Sequence, residues 1–370
     1  MIEFFTIFAG VIALVSVRLQ ISNRLILFWL IILPLALLDG LRWEMGTDWV
    51  NYYNYYFGET LDVSREKWAR SHFDPGFVIY TDFIRSFTSN YSIYLLTTSL
   101  IIYIGIFYGV FKLTGRNFLA LFYLIGTLPW YAGSLRQMLA CTCFVWALNS
   151  VINRKVISYI VLMLLAISFH STAFGFVPMY WFYGLTTLTY IIVLFIIILI
   201  APFVDKLLPL FQKILYFYGY EKNVLLYSGG VQFHGLAPNP ILGFARKIIT
   251  IGGLSVFTIL SKSSAKLDIL MWKKIKYFFG LSFLTVIFYY IGIYKIMYVA
   301  GRLDIYTGLI ATSILIGLLD QVLTKKSNRF IFYLFVLSLV GVFYYRLLWM
   351  DLFHPYSSIF YNYDLHRELH

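Results

Sequence analysis

The sequence predicts an all-α, polytopic integral membrane protein with about twelve transmembrane helices. Three observations carry the prediction. Apolar stretches of about 16 to 22 residues recur along the chain, and a helix of about 20 residues spans the hydrocarbon of a bilayer. Of 370 residues, 61% are hydrophobic and 12% charged, and the mean hydropathy is +0.79. Much of the net charge of +12 lies in short loops between apolar segments, the distribution that orients membrane proteins rather than one that grips nucleic acid.

The first apolar segment, near 3–17, starts with Glu3 instead of a basic region and has no small-residue cleavage site before Arg18. It is therefore expected to be a retained helix. The second runs near 25–40, and a long polar outer loop follows from Leu41 to Asp74. The stretch from Gly76 to Thr88 is amphipathic and interrupted by Asp82 and Arg85, so a re-entrant or interfacial helix is expected near 76–88. Helices are then expected near 93–112, 118–132, 136–152, 155–170, 172–184 and 186–204. A second outer loop occupies 205–243, and helices near 244–261, 276–297, 303–320 and 330–348 complete a single transmembrane domain over residues 1–370. Cys141 and Cys143 lie two apart within one helix, on different faces, which argues against a disulfide or a metal pair.

Orientation follows from the short loops. Arg18 with Arg24, Lys112 with Arg116, Arg154 with Lys155, Lys262 through Lys276, and Lys325, Lys326 and Arg329 all fall on one side of this threading. That side is expected to be cytoplasmic. The opposite side receives the 41–74 loop, the turn from Trp130 to Arg136, the 205–243 loop, the turn near Arg302, the tail after Trp349 and both termini.

The polar residues of the outer side share a chemistry. Arg42, Glu44, Asp48 and Asn51 fall in one loop among Trp43, Trp49, Tyr52, Tyr53, Tyr55 and Tyr56. A sugar offers C–H faces and hydroxyl edges, so flat rings beside acids and amides suit it, although Trp and Tyr also collect at any membrane interface. Asp74 precedes Pro75 and Gly76, where it can cap a helix or bind substrate. Arg136 and Gln137 open a helix, where a forked cation and the helix dipole together hold phosphate or diphosphate. His170 ends a helix on the same side, and an imidazole there can take a proton from a sugar hydroxyl. Arg302, Asp304 and Tyr306 begin a later helix, and Arg246 with Lys247 another.

Several chemistries are missing from the sequence. It has no glycine-rich nucleotide phosphate loop, no Asp-x-Asp for a metal-bound nucleotide sugar, no His-Glu-x-x-His and no Gly-x-Ser-x-Gly. No metal site and no cofactor are expected. An outer-face enzyme then needs a donor already activated through its leaving group, as in a lipid-diphosphate sugar.

At these residues the sequence resembles the EpsG family of bacterial polysaccharide polymerases, which is similar in role to the Wzy O-antigen polymerases. The resemblance rests on the run from Arg42 to Tyr53 with its Gly46-Thr47-Asp48 core, Asp74-Pro-Gly-Phe77, Ser134-Leu-Arg-Gln137, Phe169-His-Ser171, Arg302 with Tyr306, and the tail from His354 to Phe360. These occur in the family's order along nearly the full chain. Asp74 stands where the family commonly has Glu, and His354 where it commonly has Tyr. The resemblance implies a glycosyltransferase that joins oligosaccharide repeats carried on undecaprenyl diphosphate, as donor and as acceptor, at the periplasmic face of the inner membrane. Membrane lipid and a polysaccharide chain-length regulator are the further expected partners. Arg136 and Arg302, with Arg42 third, would hold the diphosphate; Asp48 or His170 would activate the acceptor hydroxyl, and the sequence does not choose between them. Two other classes stay open. A flippase of lipid-linked oligosaccharide should carry ionisable groups deep in its helices, and a membrane-bound sugar acyltransferase should place an intramembrane His toward a cytoplasmic donor.

Overall fold

The computed structural model describes residues 2–17, 24–43, 45–46, 48–57, 73–128, 133–185, 240–262, 267–291 and 297–347, with isolated positions between 189 and 199. Among these residues every regular element is helical. Four of the described helices are long and apolar enough to cross a membrane: Tyr91–Leu113, Leu135–Ile152, Gly243–Ser261 and Gly301–Val322; Thr6–Ser16, Phe118–Thr127 and Val156–Phe169 are shorter apolar helices. Apolar side chains stand on the outside of these elements, Ile157 being 77% exposed. Lipid is the solvent that such a surface requires. The chain is a polytopic helical membrane protein. The expected helix near 186–204, the 205–243 loop and the tail with His354 lie largely or wholly outside the described residues.

The chain divides into two compact units, Met1–Ser171 with Tyr333–His370, and Thr172–Phe332. In the first unit, α1 (Ile2–Ser16) and α2 (Arg24–Gly40) are followed by a helix inside the expected loop, α3 (Trp49–Phe57). Eleven-residue α4 (Pro75–Arg85) is too short to span. It buries Phe77 and Thr81 and leaves Ile79, Phe83 and Phe87 exposed at four-residue spacing, an interfacial pattern. The unit continues through α5 (Tyr91–Leu113), α6 (Phe118–Thr127), α7 (Leu135–Ile152) and α8 (Val156–Phe169).

Local chemistry sets these boundaries. Asn90 accepts from the Ser92 N–H at 2.9 Å to cap α5, and Asn117 accepts from Leu119 and Ala120 at 2.9 and 3.1 Å to cap α6. Helix α7 closes with Arg154 in the left-handed region, φ 56°, while the Lys155 N–H donates to the Ser150 carbonyl at 2.9 Å. Small residues let the helices approach. Gly105 and Gly109, one turn apart on α5, face Thr142 and Val145 of α7, and a Cβ at either glycine would collide with those side chains. Arg24 donates to the Arg116 carbonyl at 3.3 Å, which brings together two of the loops expected on the cytoplasmic side.

The outer aromatic residues are mostly packing. Tyr52, Tyr55 and Tyr56 of α3 are buried among Phe73, Phe77, Tyr91 and Tyr94. The Tyr56 hydroxyl donates to the Thr88 carbonyl at 2.6 Å, and Tyr91 to that of Trp49 at 3.4 Å. These rings hold α3 against α4 and α5 more than they form an open platform.

The second unit corrects one expectation. Residues 172–184 form no single helix: a 3-10 turn over Ser171–Phe176 leads into the one-turn α9 (Met179–Phe182). Gly175 and Pro178 interrupt the apolar run, and Gly184 ends it at φ 102°. Helices α10 (Pro240–Ser261), α11 (Ile269–Ile291) and α12 (Met297–Asp304) follow. The α11 start lies earlier than expected because Trp272, Lys273 and Lys274 are tolerated at a helix end whose long stems reach polar surroundings. Next comes a π-helical stretch, Ile305–Ala311, then α13 (Thr312–Val322); α14 (Lys326–Leu347) begins in this unit, and from Tyr333 onward it belongs to the first. The expected 303–320 helix thus starts at Met297 and carries a π segment in its middle.

Candidate functional site

The first unit gathers the ends of four helices around Arg136. Asp74 sits at the N-cap of α4, with Pro75 as the first helical residue. Its backbone carbonyl accepts from Phe77 and Val78, but its side chain makes no capping bond. Instead Oδ2 accepts from Arg136 Nη1 at 3.3 Å and Oδ1 from the Ser171 N–H at 3.2 Å. Gly76 permits this reach. A Cβ there would meet the Ser168 carbonyl carbon at 2.8 Å, so only glycine lets the start of α4 lie against the end of α8.

Arg136, in the first turn of α7, lies 4.9 Å from the Phe73 ring centroid in a cation–π contact. It also hydrogen-bonds the Tyr52 hydroxyl and interacts electrostatically with Asp48. Tyr52 in turn donates to Asp48 Oδ2 at 3.4 Å. Asp48, Tyr52, Arg136 and Asp74 therefore form one network, drawn from residues that span the sequence from 48 to 136. Tyr52 joins it as a residue that sequence reading treated only as an aromatic wall; its position four residues after Asp48, one helical turn, was the available signal.

The other expected residues take different places. Arg42 is 1% exposed, with Nη1 paired to Asp39 Oδ1 at 2.5 Å and donating to the Asp39 carbonyl at 2.9 Å. Asp39 also accepts from Ser99 at 2.9 Å. Asn51 is exposed on α3, and Gln137 is buried in the first turn of α7. His170 is buried at the C-cap of α8, immediately before the residue whose N–H binds Asp74. The Glu44 side chain lies outside the described residues.

In the second unit, Arg302 occupies the last turn of α12. Tyr306 is fully buried, its ring 4.7 Å from Phe176 and its hydroxyl 3.4 Å from that of Thr172. Between them in sequence lies a pairing that the sequence did not reveal. Lys247 Nζ donates to Asp304 Oδ2 at 2.6 Å, with both side chains buried, and the Tyr289 hydroxyl reaches the same oxygen at 3.4 Å. The signal was indirect: two opposite charges near the starts of two apolar helices, each needing a partner in lipid.

A family model described as the EpsG family matches residues 25–361. The chain belongs to the EpsG family. Its general role is accordingly that of a polysaccharide polymerase, with the character of a glycosyltransferase. Comparison with curated proteins and with solved structures finds no match.

In this EpsG-family protein the network is electrostatically poised. Burial pushes the Asp74 carboxyl up to about 6, against the opposing pull of the Arg136 guanidinium and the Ser171 N–H. Asp74 is thus charged above about pH 6 and neutral below it. While charged it competes with any anion for Arg136, and once protonated it releases the guanidinium. Affinity of this site for a diphosphate diester, an anion whose own charge is constant in this window, should rise about tenfold from about pH 7.5 to about pH 5. Asp74→Asn should hold the higher affinity throughout. A flat wild-type profile by titration calorimetry, or an unchanged slope in the variant, would refute this coupling.

Proposed function

We propose that this EpsG-family protein polymerises O-antigen or a related surface glycan from oligosaccharide repeats carried on undecaprenyl diphosphate, at the periplasmic face of the inner membrane. The observation that carries the reading is the network around Arg136. A guanidinium with one-fifth of its side chain exposed stands at a helix start beside two carboxylates, one of them part-exposed. This provides a cation for a leaving diphosphate and a base for an attacking hydroxyl in one place.

The steps balance without further reactants. The acceptor sugar oxygen attacks the anomeric carbon of the donor glycan, and the bond from that carbon to the diphosphate oxygen breaks. The electron pair leaves with the lipid diphosphate, whose charge Arg136 stabilises. The hydroxyl proton passes to Asp48, which we favour over His170 because its carboxylate is less buried and hydrogen-bonded to Tyr52. Asp74 holds Arg136 until the diphosphate arrives. The Arg136 guanidinium supplies the positive charge that a metal would supply to other glycosyltransferases, so we assign the reaction no metal.

Purified protein given defined undecaprenyl-diphosphate repeat units should yield glycans of two and more repeats together with free undecaprenyl diphosphate. Units that cross the bilayer of a proteoliposome without being extended would mean a flippase instead.

A further inference from the structure

The mechanism leaves unused a set of buried donors beside α3. Arg42 Nε, Arg42 Nη2, Trp43 Nε1 and Trp49 Nε1 are all buried without a hydrogen-bond partner. They belong to one aromatic cluster. The Trp43 and Trp49 rings meet edge to face at 5.1 Å, Tyr53 stacks on Trp49 at 4.9 Å, and Tyr91 stands 5.4 Å from Trp49. Arg42 interacts electrostatically with the same Tyr91. Buried donors in native proteins are almost always satisfied, and each orphan costs roughly as much as a lost hydrogen bond. Four together mark a place that an acceptor from outside the chain completes.

The chemistry of the cluster narrows that acceptor. Asp39 already neutralises the Arg42 guanidinium, and Asp48 adds a negative charge one residue before Trp49. An anion entering here would meet repulsion without an uncommitted cation, so the occupant is neutral. An N-acyl amide offers both halves of what this corner lacks: its carbonyl oxygen accepts two donors, and its N–H needs an acceptor, where Asp39 Oδ1, ion-paired with Arg42, is buried with no hydrogen-bond partner of its own. The flat faces of Trp43 and Tyr53, both only half-buried, suit the C–H face of a sugar ring.

We infer that Arg42, Trp43 and Trp49 line a subsite for the N-acyl group of an amino sugar, the two indole N–H groups donating to its carbonyl oxygen and the Arg42 donors to oxygens of the same sugar. The choice of a sugar as occupant rests on the polymerase reading, but the set of orphaned donors does not. The subsite fixes which sugar of the repeat lies beside Asp48, and so makes the acylamino sugar part of the acceptor's specificity.

The test compares two disaccharides that differ in this group alone, N,N′-diacetylchitobiose and cellobiose, by titration calorimetry on the purified full-length protein. Wild type should bind the acylated sugar about tenfold more tightly, the effect of one or two buried hydrogen bonds. Trp49→Phe and Trp43→Phe keep a ring and remove the N–H. Each should lower that preference to about twofold or less while cellobiose still binds, which also reports that the variant is folded. Absence of any preference in wild type, a preference that survives both substitutions, or no binding of either sugar would each overturn the inference. Because no turnover is measured, the outcome is separable from the function proposed above. Discrimination by a protein that fails to polymerise would leave the subsite standing, and polymerisation without discrimination would remove the subsite alone.

Discussion

Arg136→Ala is expected to lower polymer formation by about a hundredfold to a thousandfold, the usual effect of removing one preorganised donor from developing negative charge. Polymer ladders should collapse to single repeats while the protein stays in the membrane at its normal level. Three features give this position the largest effect in the site. Its fork can engage two diphosphate oxygens at once, it stands at the amino-terminal end of α7 where the helix dipole adds to its charge, and part of it remains exposed. The loss should be catalytic rather than structural. Removing Arg136 leaves the Asp74 carboxyl buried, but that group already titrates near 6 and can take a proton instead of unfolding the site.

Arg136→Lys should fall between wild type and alanine, since an ammonium keeps the charge and loses the fork. Adding Asp74→Asn to Arg136→Ala should cost little more, because Asp74 acts through the arginine and partners in one network are not additive. Normal ladders from Arg136→Ala, with expression controlled by blotting, would remove Arg136 from the site. An equal loss of folded protein would make the residue structural.

Hydropathy and loop charge were enough to read an all-helical membrane protein, and most helix positions, from the sequence. Segments with strong apolar periods, such as those around Tyr91–Leu113 and Leu135–Ile152, left little alternative. The less legible parts were decided by packing or by local backbone. Helix α3 lies in a polar, aromatic run whose helical period is hidden because its Tyr residues are amphipathic. The break after His170 depended on Gly175 and Pro178 acting together. The close approach of α5 and α7 was legible in Gly105 and Gly109, which recur one turn apart, but their partners Thr142 and Val145 were not. For the site, residue types identified Asp48, Asp74 and Arg136 separately. Only the fold shows that Asp74 forgoes its capping bond for Arg136, that Tyr52 links Asp48 to the same arginine, and that the charge of Arg42 is matched by Asp39 rather than left for a diphosphate. The Asp74–Arg136 pairing is a long-range choice between chemically reasonable partners, on which sequence spacing is silent; Asp48–Tyr52 and Asp39–Arg42 lie four and three residues apart, so spacing offered them without selecting them.

The buried pair Lys247–Asp304 should give the largest stability effect. Both residues lie near the starts of apolar spans, Lys247 side chain 7% and Asp304 side chain 2% exposed. Breaking such a pair from one side leaves the other charge in a low dielectric, which costs about 3–5 kcal/mol. Asp304→Leu or Lys247→Met should therefore sharply lower the unfolding temperature of the purified protein in detergent, measured by thermal shift. The double substitution removes both desolvated charges and should recover most of the loss, since apolar replacements of a buried pair are often neutral or stabilising. Gly308 gives an independent check. Its missing side chain makes room for the pair, because a Cβ there would overlap the Asp304 carboxylate and come within 2.9 Å of Lys247 Nζ. Gly308→Ala should destabilise the wild type but be tolerated once Asp304 and Lys247 have been replaced by residues that can repack. If either single charge substitution proves as stable as wild type, water or lipid headgroups reach this position and the pair does not stabilise the fold. Recovery of stability by the double variant together with loss of polymer would mean that the pair also positions Arg302. Asp304 lies two residues from that arginine at the end of α12, and anchoring it to α10 fixes where the guanidinium can stand.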